Sequence, residues 1–368
     1  MPNFAPAELE NILRLIFLAA GASSTEAAVT SRDLVESSLV GHDSHGVLRT
    51  VQYVEAIRAG TLQVGVRPQV IAEAATTAIV DGRNGFGQVV GRHTMSLAMT
   101  KAREQGLAAV TLRNSYHTGR LASFTLMAAA ENFVGIVMVN AGGGGQSVAP
   151  FGCLARRLAT NPFSIAAPSG GPFPLVLDVA TSVAPEGKVR DLCRQAKPVP
   201  SGWLINAKGQ PSTDPADFYA SPGGALLPLG GPVGYKGFGL SFMIDLLAGA
   251  LSGAGCCRPG AVDPSDGALM IVLDVRRFLP LEQFYEHAQR LMAHVKSSPT
   301  LPGFAEIYVP GEIEFREAQR RRREGIRLDD RTWQELRQLA AELRVRLDDT
   351  PAGRKEPEPA MAFVSKLI

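Results

Sequence analysis

The chain has 368 residues, of which 45% are hydrophobic and 20% are charged, and this composition is typical of an ordinary globular protein. Its length exceeds that of an average domain, so two or three packed lobes are expected. A formal net charge of +2 is too small for a general nucleic-acid surface, and no uncharged run is long enough to cross a membrane.

The four cysteines suggest neither a disulfide framework nor a zinc site. None belongs to a Cys-x-x-Cys pair, and the adjacent Cys256 and Cys257 have poor geometry for a shared metal. We therefore expect reduced thiols and a cytoplasmic protein. The chain begins with an acidic amphipathic segment instead of a basic region and an apolar core, so no signal peptide is expected.

Helices are predicted for the first part of the chain. Apolar residues recur at helical spacing over residues 5–20, and two further helices are expected between Ser23 and Leu39, the first with a serine or threonine cap. A short helix is expected over residues 51–59. No strand opens the chain, which differs from the start of a dinucleotide-binding fold.

Residues 41–49 read Gly-His-Asp-Ser-His-Gly-Val-Leu-Arg and contain two of the six histidines. Histidine titrates close to neutrality, which suits proton transfer, and the planar fork of arginine grips a carboxylate. His42, His45 and Arg49 are about one helical turn apart, so they could share a face. A proton donor beside a carboxylate clamp is what an enzyme of 2-oxo or 2-hydroxy acids requires. The alternative is a loop whose histidines merely cap helix carbonyls.

A strand over residues 77–82 precedes the glycine-rich residues 84–91 and a helix through Gly106. This order imitates the dinucleotide fingerprint. However, Val90 stands at the third glycine position, and no acidic residue ends a second strand about 20 residues later. An ordinary Rossmann site is therefore not expected.

Three candidate residues lie at the ends of predicted strands and helices in the α/β region. His117 lies in a strand-to-helix loop, where catalytic residues collect, unless it merely bonds a turn carbonyl. Asp178 ends another strand, and the polar turn after it could hold a ribose and a phosphate. Lys236 opens an apolar helix through Leu251, where the lysine and the helix dipole could act together on a phosphate. The alternative for Lys236 is a solvated turn lysine.

The remaining elements are less informative about function. Further strands are expected over residues 134–139, 163–167 and 268–275, and helices over 281–295 and 331–347. Residues 200–215 are expected to form an irregular loop. The basic run over 316–327 is typical of a solvated helix face, although it could instead meet the 2′-phosphate of NADP.

Taken together, the motifs resemble the malate/L-lactate dehydrogenase family of the non-Rossmann type. That family includes L-sulfolactate and ureidoglycolate dehydrogenases and Δ1-piperideine-2-carboxylate reductases. The matching pieces occur in family order from about residue 5 to 347. They are Gly41-His42-Asp43-Ser44-His45-Gly46 with Arg49, Asp81-Gly82-Arg83-Asn84-Gly85 with Gly87-Gln88, Arg113-Asn114-Ser115-Tyr116-His117, Thr160-Asn161-Pro162, Leu177-Asp178-Val179-Ala180-Thr181-Ser182, Gly202-Trp203 with Thr213-Asp214-Pro215, Gly234-Tyr235-Lys236-Gly237, Pro310-Gly311-Glu312 and Glu324-Gly325-Ile326.

The resemblance implies an α/β, non-Rossmann NAD(P)-binding fold of the L-sulfolactate dehydrogenase-like type, with an N-terminal helical lobe. We expect this lobe over residues 1–75, packing with residues 310–350, and an α/β region that binds cofactor and substrate over 76–309. Residues 351–368 are expected to fray. The resemblance also implies a homodimer with its active site near the subunit interface.

By the same resemblance, His117 is the leading proton donor or acceptor, Ser44 and His45 lie in the catalytic pocket, and Arg49 binds the substrate carboxylate. No metal ion is expected, and the cofactor is NAD or NADP. The residues on cofactor-binding motifs are His117, Thr118, Gly119, Arg120, Leu121, Thr160, Asp178, Val179, Ala180, Lys236, Gly311 and Glu312.

Three positions depart from the family pattern. Lys188 stands where some members have an aspartate that completes a Ser-His-Asp relay, Ala159 replaces the usual glycine before Thr-Asn-Pro, and Thr118 takes a place often held by an aromatic residue. The relay cannot be assumed, and the identity of the substrate cannot be transferred.

We therefore expect reversible hydride transfer between NAD(P)H and C2 of a small 2-oxo acid or cyclic 2-imino acid. The expected partners are this carboxylic acid and a second copy of the chain, without nucleic acid or membrane. Two alternatives remain: a metal-dependent hydrolase that uses His42, His45 and His117, and a non-catalytic ligand-binding relative.

Overall fold

The computed structural model describes residues 1–261 and 265–347. Its helices are α1 (Pro6–Ala19), α2 (Ser24–Leu39), α3 (Arg49–Ala59), α4 (Gly87–Gln105), α5 (Ala122–Ala130), α6 (Glu186–Arg194), α7 (Ala216–Tyr219), α8 (Tyr235–Ile244), α9 (Leu281–Lys296), α10 (Glu312–Glu324) and α11 (Asp330–Glu342). Its strands are β1 (Asn3–Phe4), β2 (Gln69–Glu73), β3 (Thr77–Gly85), β4 (Leu107–Ser115), β5 (Phe133–Asn140), β6 (Phe163–Ala167), β7 (Leu175–Val179), β8 (Leu204–Ile205), β9 (Pro211–Ser212), β10 (Ala225–Leu226), β11 (Asp266–Asp274) and β12 (Ile326–Arg327).

Seven strands form one mixed sheet in the order β2-β3-β4-β11-β5-β6-β7. Strands β3 and β4 pair in parallel, whereas the other neighbours in this sheet are antiparallel. A doubly wound dinucleotide fold is built on a mostly parallel sheet, so this α/β fold is of a different type. The incomplete dinucleotide fingerprint of residues 84–91 agrees with that architecture.

The centre of the sheet is covered by α4 and α5. Val110 of β4 lies beside Met270 of β11, which in turn lies beside Val137 of β5. All three side chains are fully buried, and Met95 of α4 and Phe124 of α5 belong to the same hydrophobic cluster. Alternate residues of a strand point to the same face, so this register places one apolar row beneath the two helices.

A second core lies among the helices near both ends of the described chain. Leu13 and Phe17 of α1 pack with Tyr53 of α3 and with Leu336 of α11 in one buried cluster. Helix α2 begins with a reciprocal cap, in which Ser23 and Glu26 each accept a hydrogen bond from the backbone N–H of the other.

Several predicted boundaries are wrong. Residues between Ser23 and Leu39 form one helix instead of two, because no residue interrupts the hydrogen bonding of α2. The polar turn after Asp178 contains α6, and residues 200–215 contain β8 and β9 of a small three-stranded sheet. The last helix ends at Glu342 instead of residue 347, since Arg344 has a left-handed φ of 57°.

Two further expectations concern the ends of the predicted lobes. Strands β1 and β2 lie within residues 1–75, which we predicted to be helical, so that segment is not wholly helical. The expectation that no strand opens the chain is wrong, because β1 pairs with β12 near the other end of the described chain. The predicted frayed tail over 351–368 lies outside the described residues. In the part of the chain that the structure describes, no helix combines the length and the apolar character needed to cross a membrane.

Candidate active site

A cavity of about 480 Å³ opens between the segment after α2, the loop before α5 and the segment that follows β7. Strand ends and helix starts therefore supply most of its wall, as the sequence predicted for Asp178 and its neighbours. The lining residues are Gly41, His42, Asp43, Ser44, His45, Gly119, Arg120, Leu121, Thr160, Pro162, Asp178, Val179, Ala180, Ser182, Val183, Ala184, Pro185, Lys188, Asp191 and Leu229.

Contacts with α2 and α10 fix the segment that carries His45. A Cβ on Gly46 would lie 2.0 Å from Ser38 Oγ, so only glycine allows this approach. Ser38 Oγ accepts a hydrogen bond from Val47 N–H at 3.1 Å, and the Arg321 guanidinium donates to Asp43 at 2.7 Å. Because both ends of the short turn are fixed, Ser44 and His45 are directed into the cavity.

The two predicted catalytic histidines lie against each other. The rings of His45 and His117 are nearly parallel, with centroids 5.7 Å apart. Ser44 Oγ lies 3.2 Å from Nδ1 of His45, and Tyr53 Oη lies 2.7 Å from Nδ1 of His117. His45 borders the cavity, whereas the half-buried His117 does not. Each ring therefore has one nitrogen beside a hydroxyl, and its Nε2 is left for chemistry.

A buried chain of hydrogen bonds orients His117. Gln88 Nε2 donates to Tyr53 Oη at 2.8 Å, and this hydroxyl lies 2.7 Å from Nδ1 of His117 and 3.4 Å from the carbonyl oxygen of the same residue. Burial raises the pKa of Tyr53, which keeps the phenol protonated. When the phenol donates to the carbonyl oxygen of His117, its oxygen can accept from Nδ1–H, and the Nε2 lone pair is then free to accept a proton.

The glycine-rich segment that imitates a dinucleotide motif has a packing role. A Cβ on Gly87 would lie 2.3 Å from the carbonyl oxygen of His117. The glycine therefore lets the start of α4 approach the loop that carries His117, and it brings Gln88 within reach of Tyr53.

Burial favours the neutral form of both histidines. Burial lowers the pKa of His45 to about 3 and that of His117 well below 6.5. The positive charge of Arg49 is the second cause in each case. A negatively charged ligand at Arg49 would oppose that second effect.

Arg49 lies behind Ser44, which is one of the residues that line the cavity. Its Nε donates to the Ser44 carbonyl at 2.6 Å, and its Nη1 donates to Gln52 Oε1 at 2.6 Å. The side chain is buried, and no carboxylate of the described residues lies within the 4.0 Å of an ion pair. A buried guanidinium is costly unless an anion accompanies it, so a ligand is the natural source of that charge.

The predicted cofactor residues divide into two groups. The first group borders the cavity and consists of Gly119, Arg120, Leu121, Thr160, Asp178, Val179 and Ala180. Asp178 Oδ2 accepts a hydrogen bond from the backbone N–H of Ala122, at the start of α5, at 2.7 Å. Burial raises the pKa of this carboxyl group.

The other predicted cofactor residues do not border it. Thr118 is buried and donates through its N–H and Oγ1 to Asp266 Oδ2, at 2.8 Å each. Lys236 is exposed in the first turn of α8. Glu312, which follows Gly311, accepts from Lys296 Nζ at 2.6 and 2.7 Å. The cofactor roles of these residues stay predictions.

Arginines of the basic run pair with acids of the same chain. Arg316 binds Glu306 and Glu312, and Arg320 binds Glu317 and Glu324. These pairs account for the run as a charged helix face, and they give no support to a contact with the NADP 2′-phosphate.

The described residues contain no group of three or more histidine, cysteine, aspartate or glutamate side chains that could hold a metal. Of the histidines assigned to a hydrolase, His42 faces Glu314, whereas His45 and His117 face hydroxyl groups. The metal-dependent alternative has no support.

Sequence reasoning missed the side chains that orient the histidines and part of the cavity wall. Tyr53 lies one helical turn after Arg49, and this spacing could have indicated a shared face. Gln88 belongs to a piece that matches the family, but nothing in the sequence indicated its contact with Tyr53. Asp191 and Leu229 border the cavity without belonging to a recognisable motif, and Lys188 borders it at the position of the absent relay aspartate.

Comparison with known proteins agrees with this geometry. Residues 4–337 match the family model described as malate/L-lactate dehydrogenase. A malate dehydrogenase from Pyrococcus horikoshii is 38% identical over 328 residues, which cover 87% of this chain and 89% of the relative.

Solved structures agree with the fold as well. Malate dehydrogenase from Entamoeba histolytica gives a TM-score of 0.89 at 30% identity, and the match covers 94% of this chain and 99% of that protein. For sulfolactate dehydrogenase from Methanocaldococcus jannaschii the TM-score is 0.83 at 30% identity, and the match covers 95% of this chain and 99% of that protein. The predicted fold class is therefore confirmed. The chain belongs to the malate/L-lactate dehydrogenase family and is an oxidoreductase that acts on CH–OH groups.

Proposed function

We propose that the protein transfers a hydride between NAD(P)H and C2 of a small 2-oxo acid or cyclic 2-imino acid. The observation that carries this proposal is the buried Arg49, which has no acid partner among the described residues and whose charge acts on His45 and His117. The names of the relatives, which include malate and sulfolactate dehydrogenases, support a hydroxy-acid substrate.

The residues of the cavity fit a nicotinamide dinucleotide. Asp178, Thr160 and Ser182 offer carboxylate and hydroxyl groups suited to sugar hydroxyls, and Arg120 has a buried Nε without a hydrogen-bond partner. Gly119, Leu121, Val179 and Ala180 are proposed to contact the same cofactor. When bound, this cofactor supplies or accepts the hydride.

The chain's own residues bind and orient the acid and move the proton. Arg49 binds the carboxylate and thereby fixes which face of C2 is presented. His117, oriented at Nδ1 by Tyr53, accepts the hydroxyl proton of the acid at Nε2 in the oxidative direction, and the resulting imidazolium returns that proton to the oxygen in the reductive direction. Ser44 and His45 form the adjacent wall, where His45 is the second candidate for the proton transfer.

A panel of 2-oxo acids and cyclic imino acids, each tested with NADH and NADPH, tests the proposal and assigns the cofactor. We expect loss of nicotinamide absorbance with at least one acid. No turnover across the panel by folded protein would contradict the proposal.

The pH dependence of hydroxy-acid oxidation should reflect the depressed pKa of the histidines. In this direction a neutral histidine accepts the proton, and activity falls when that histidine becomes protonated. Because the pKa of His117 lies well below 6.5, kcat/KM should stay on its plateau at pH 6.5 and fall only at lower pH. A pH profile measured in the oxidative direction checks this. An acid limb centred at or above pH 6.5 would contradict it.

We also propose that the protein is a cytoplasmic homodimer. Its four cysteines are free thiols, as expected for a reducing compartment. Exposed apolar side chains recur along α8, along the π-helix Asp245–Ala250 and at the residue after it; they are Tyr235, Phe242, Leu246 and Leu251. An apolar stripe of this kind marks a protein–protein interface.

Replacing Phe242 by aspartate should convert the dimer to a monomer, since a charge would be buried at the interface without a partner. Sedimentation velocity measures this change. Ile71→Asp, in strand β2, introduces the same charge at another exposed apolar position and should leave the dimer intact. A monomeric wild-type protein, or a Phe242→Asp variant that remains dimeric, would contradict the proposed interface.

A further inference from the structure

Asp266 holds the chain immediately after His117. Its carboxyl oxygen Oδ2 accepts two hydrogen bonds from Thr118, one from the backbone N–H and one from Oγ1, each at 2.8 Å. Both residues are buried. Because a backbone N–H and a hydroxyl share one acceptor, the contact fixes the backbone of Thr118 together with its side-chain rotamer. We call this pair of bonds the Asp266–Thr118 contact.

The pairing of β4 with β11 brings Asp266 to this loop. Ser115, the last residue of β4, lies opposite Asp266, the first residue of β11, whereas Leu112 lies opposite Ala268. Strand β4 therefore has one more residue than β11 between these two pairs, and Asn114 in this bulge has a left-handed φ of 51°. A bulge bends its strand and redirects the side chains beside it. The chain after Ser115 thereby passes the end of β11, within reach of the Asp266 side chain.

Other contacts of this loop act on the His117 ring or on the residue before it. The Tyr53 hydroxyl lies 2.7 Å from Nδ1 of His117, and the N–H of Tyr116 donates to the carbonyl of Gly85 at 3.1 Å. The Asp266–Thr118 contact supplies the corresponding restraint on the residue after His117. The histidine is therefore held at its ring and at both of its chain neighbours.

We propose that Asp266 is a positioning residue for proton transfer at His117, an inference that rests on the proposed function. Proton transfer requires the heavy atoms to be within hydrogen-bond reach, and a displacement of about 1 Å can lower a rate by about 10²-fold. The contact acts on the backbone one residue after His117. Its loss should displace the ring while Arg49, which is proposed to bind the acid, stays in place.

The contact requires an acceptor oxygen but not a negative charge. Burial raises the pKa of Asp266 to about 7, and the two bonds from Thr118 oppose that rise. The charge of Asp266 also acts on the phenol of Tyr116, whose pKa is raised mainly by burial. When the carboxyl group is protonated on Oδ1, Oδ2 can still accept both bonds. An asparagine whose amide oxygen takes the place of Oδ2 should therefore keep the contact.

The test compares Asp266→Ala and Asp266→Asn with the wild type, each as the folded full chain. Asp266→Ala removes the acceptor and should lower kcat by roughly 10- to 100-fold, while KM for the acid and Kd for the cofactor stay close to those of the wild type. The solvent deuterium isotope effect on kcat should increase, because a displaced ring makes proton transfer the slower step. Asp266→Asn should recover most of kcat and keep the pH profile of the wild type.

Asp274→Ala is the matched control. Asp274 is the last residue of β11 and is also buried, and its Oδ1 accepts from the backbone N–H of Arg276 at 3.1 Å and from Nε of the same residue at 2.7 Å. It makes the same two kinds of bond at the opposite end of the strand. Its loss should lower the melting temperature as Asp266→Ala does, but leave kcat and the isotope effect unchanged.

A second pair of variants keeps the inference testable if Asp266→Ala does not fold. Thr118→Val removes the Oγ1 bond but keeps the N–H bond, so kcat should fall less than in Asp266→Ala. Thr118→Ser keeps both donors and should recover the wild-type kcat.

NMR of the ring nitrogens tests the position of His117 without turnover. In protein made with isotope-labelled histidine, the His117 resonances are assigned by their loss in His117→Ala. They should shift in Asp266→Ala, because the ring moves relative to the Tyr53 hydroxyl, and should stay in place in Asp266→Asn and Asp274→Ala. A wild type without turnover would contradict the proposed function, whereas these spectra would still decide whether Asp266 positions His117.

Three results would overturn the inference. The first is a folded Asp266→Ala variant that keeps the kcat, the isotope effect and the His117 resonances of the wild type. The second is an Asp266→Asn variant that loses as much kcat as Asp266→Ala, which would show that the charge and not the acceptor is needed. The third is a weaker Kd for the cofactor with unchanged kcat, which would assign the contact to cofactor binding.

Discussion

Replacing His117 by alanine should lower kcat by roughly 10²- to 10⁴-fold, the usual range for loss of a general acid or base. The Tyr53 hydroxyl lies 2.7 Å from Nδ1 of this histidine, and Gln88 donates to the same hydroxyl at 2.8 Å. A base oriented by a second group, which is itself fixed, is the arrangement expected of a catalytic histidine. Steady-state kinetics measures the change, and cofactor affinity should stay close to that of the wild type.

Two variants serve as controls for that result. Tyr53→Phe keeps the buried ring but removes the hydroxyl that orients His117, so kcat should fall less than in His117→Ala. His45→Ala tests the histidine that borders the cavity. If His117→Ala keeps near-normal kcat while His45→Ala loses it, His45 is the proton donor and the assignment of His117 is wrong.

Replacing Arg49 by lysine should reduce kcat/KM by roughly 10- to 150-fold. Lysine keeps the positive charge but loses the planar fork, so one charge-assisted hydrogen bond to the carboxylate is lost. Such a bond contributes on the order of 1.5–3 kcal/mol, and about 1.4 kcal/mol corresponds to one decade in rate. Arg49→Ala should be more impaired, while NAD(P)H affinity should change little in both variants.

Arg49 also bonds Ser44 and Gln52, so a purely structural role has to be distinguished from substrate binding. Gln52→Ala removes one of those bonds without removing the guanidinium. It should therefore lower the melting temperature while keeping most of kcat/KM. If the Arg49 variants also lose thermal stability but retain kcat/KM, Arg49 does not bind the substrate.

The sequence predicted those parts of the site that are local in the chain. Residues 41–49 stand out because two histidines and an arginine are close together, and the structure directs Ser44 and His45 into the cavity. Thr160 and Asp178 were identifiable because they lie near strand termini, where loops meet at one edge of a sheet. Patterns of this kind can be recognised in the sequence because their residues are already neighbours in the unfolded chain.

The parts that depend on tertiary contacts could not be predicted. Tyr53 is 64 residues from His117, and Gln88 is 35 residues from Tyr53. Helix α6 was missed because charged side chains dominate its sequence, and only Gly187 and Val189 of it are buried.

Transfer of an isotopic label tests the central proposal most directly. The enzyme would be supplied with an active 2-oxo acid and with NADH or NADPH carrying deuterium at one or the other C4 position. The account predicts that one of the two labelled cofactors delivers its deuterium to C2 of the hydroxy acid, as seen by proton NMR and mass spectrometry. Product formed without deuterium at C2 from either labelled cofactor would contradict direct hydride transfer.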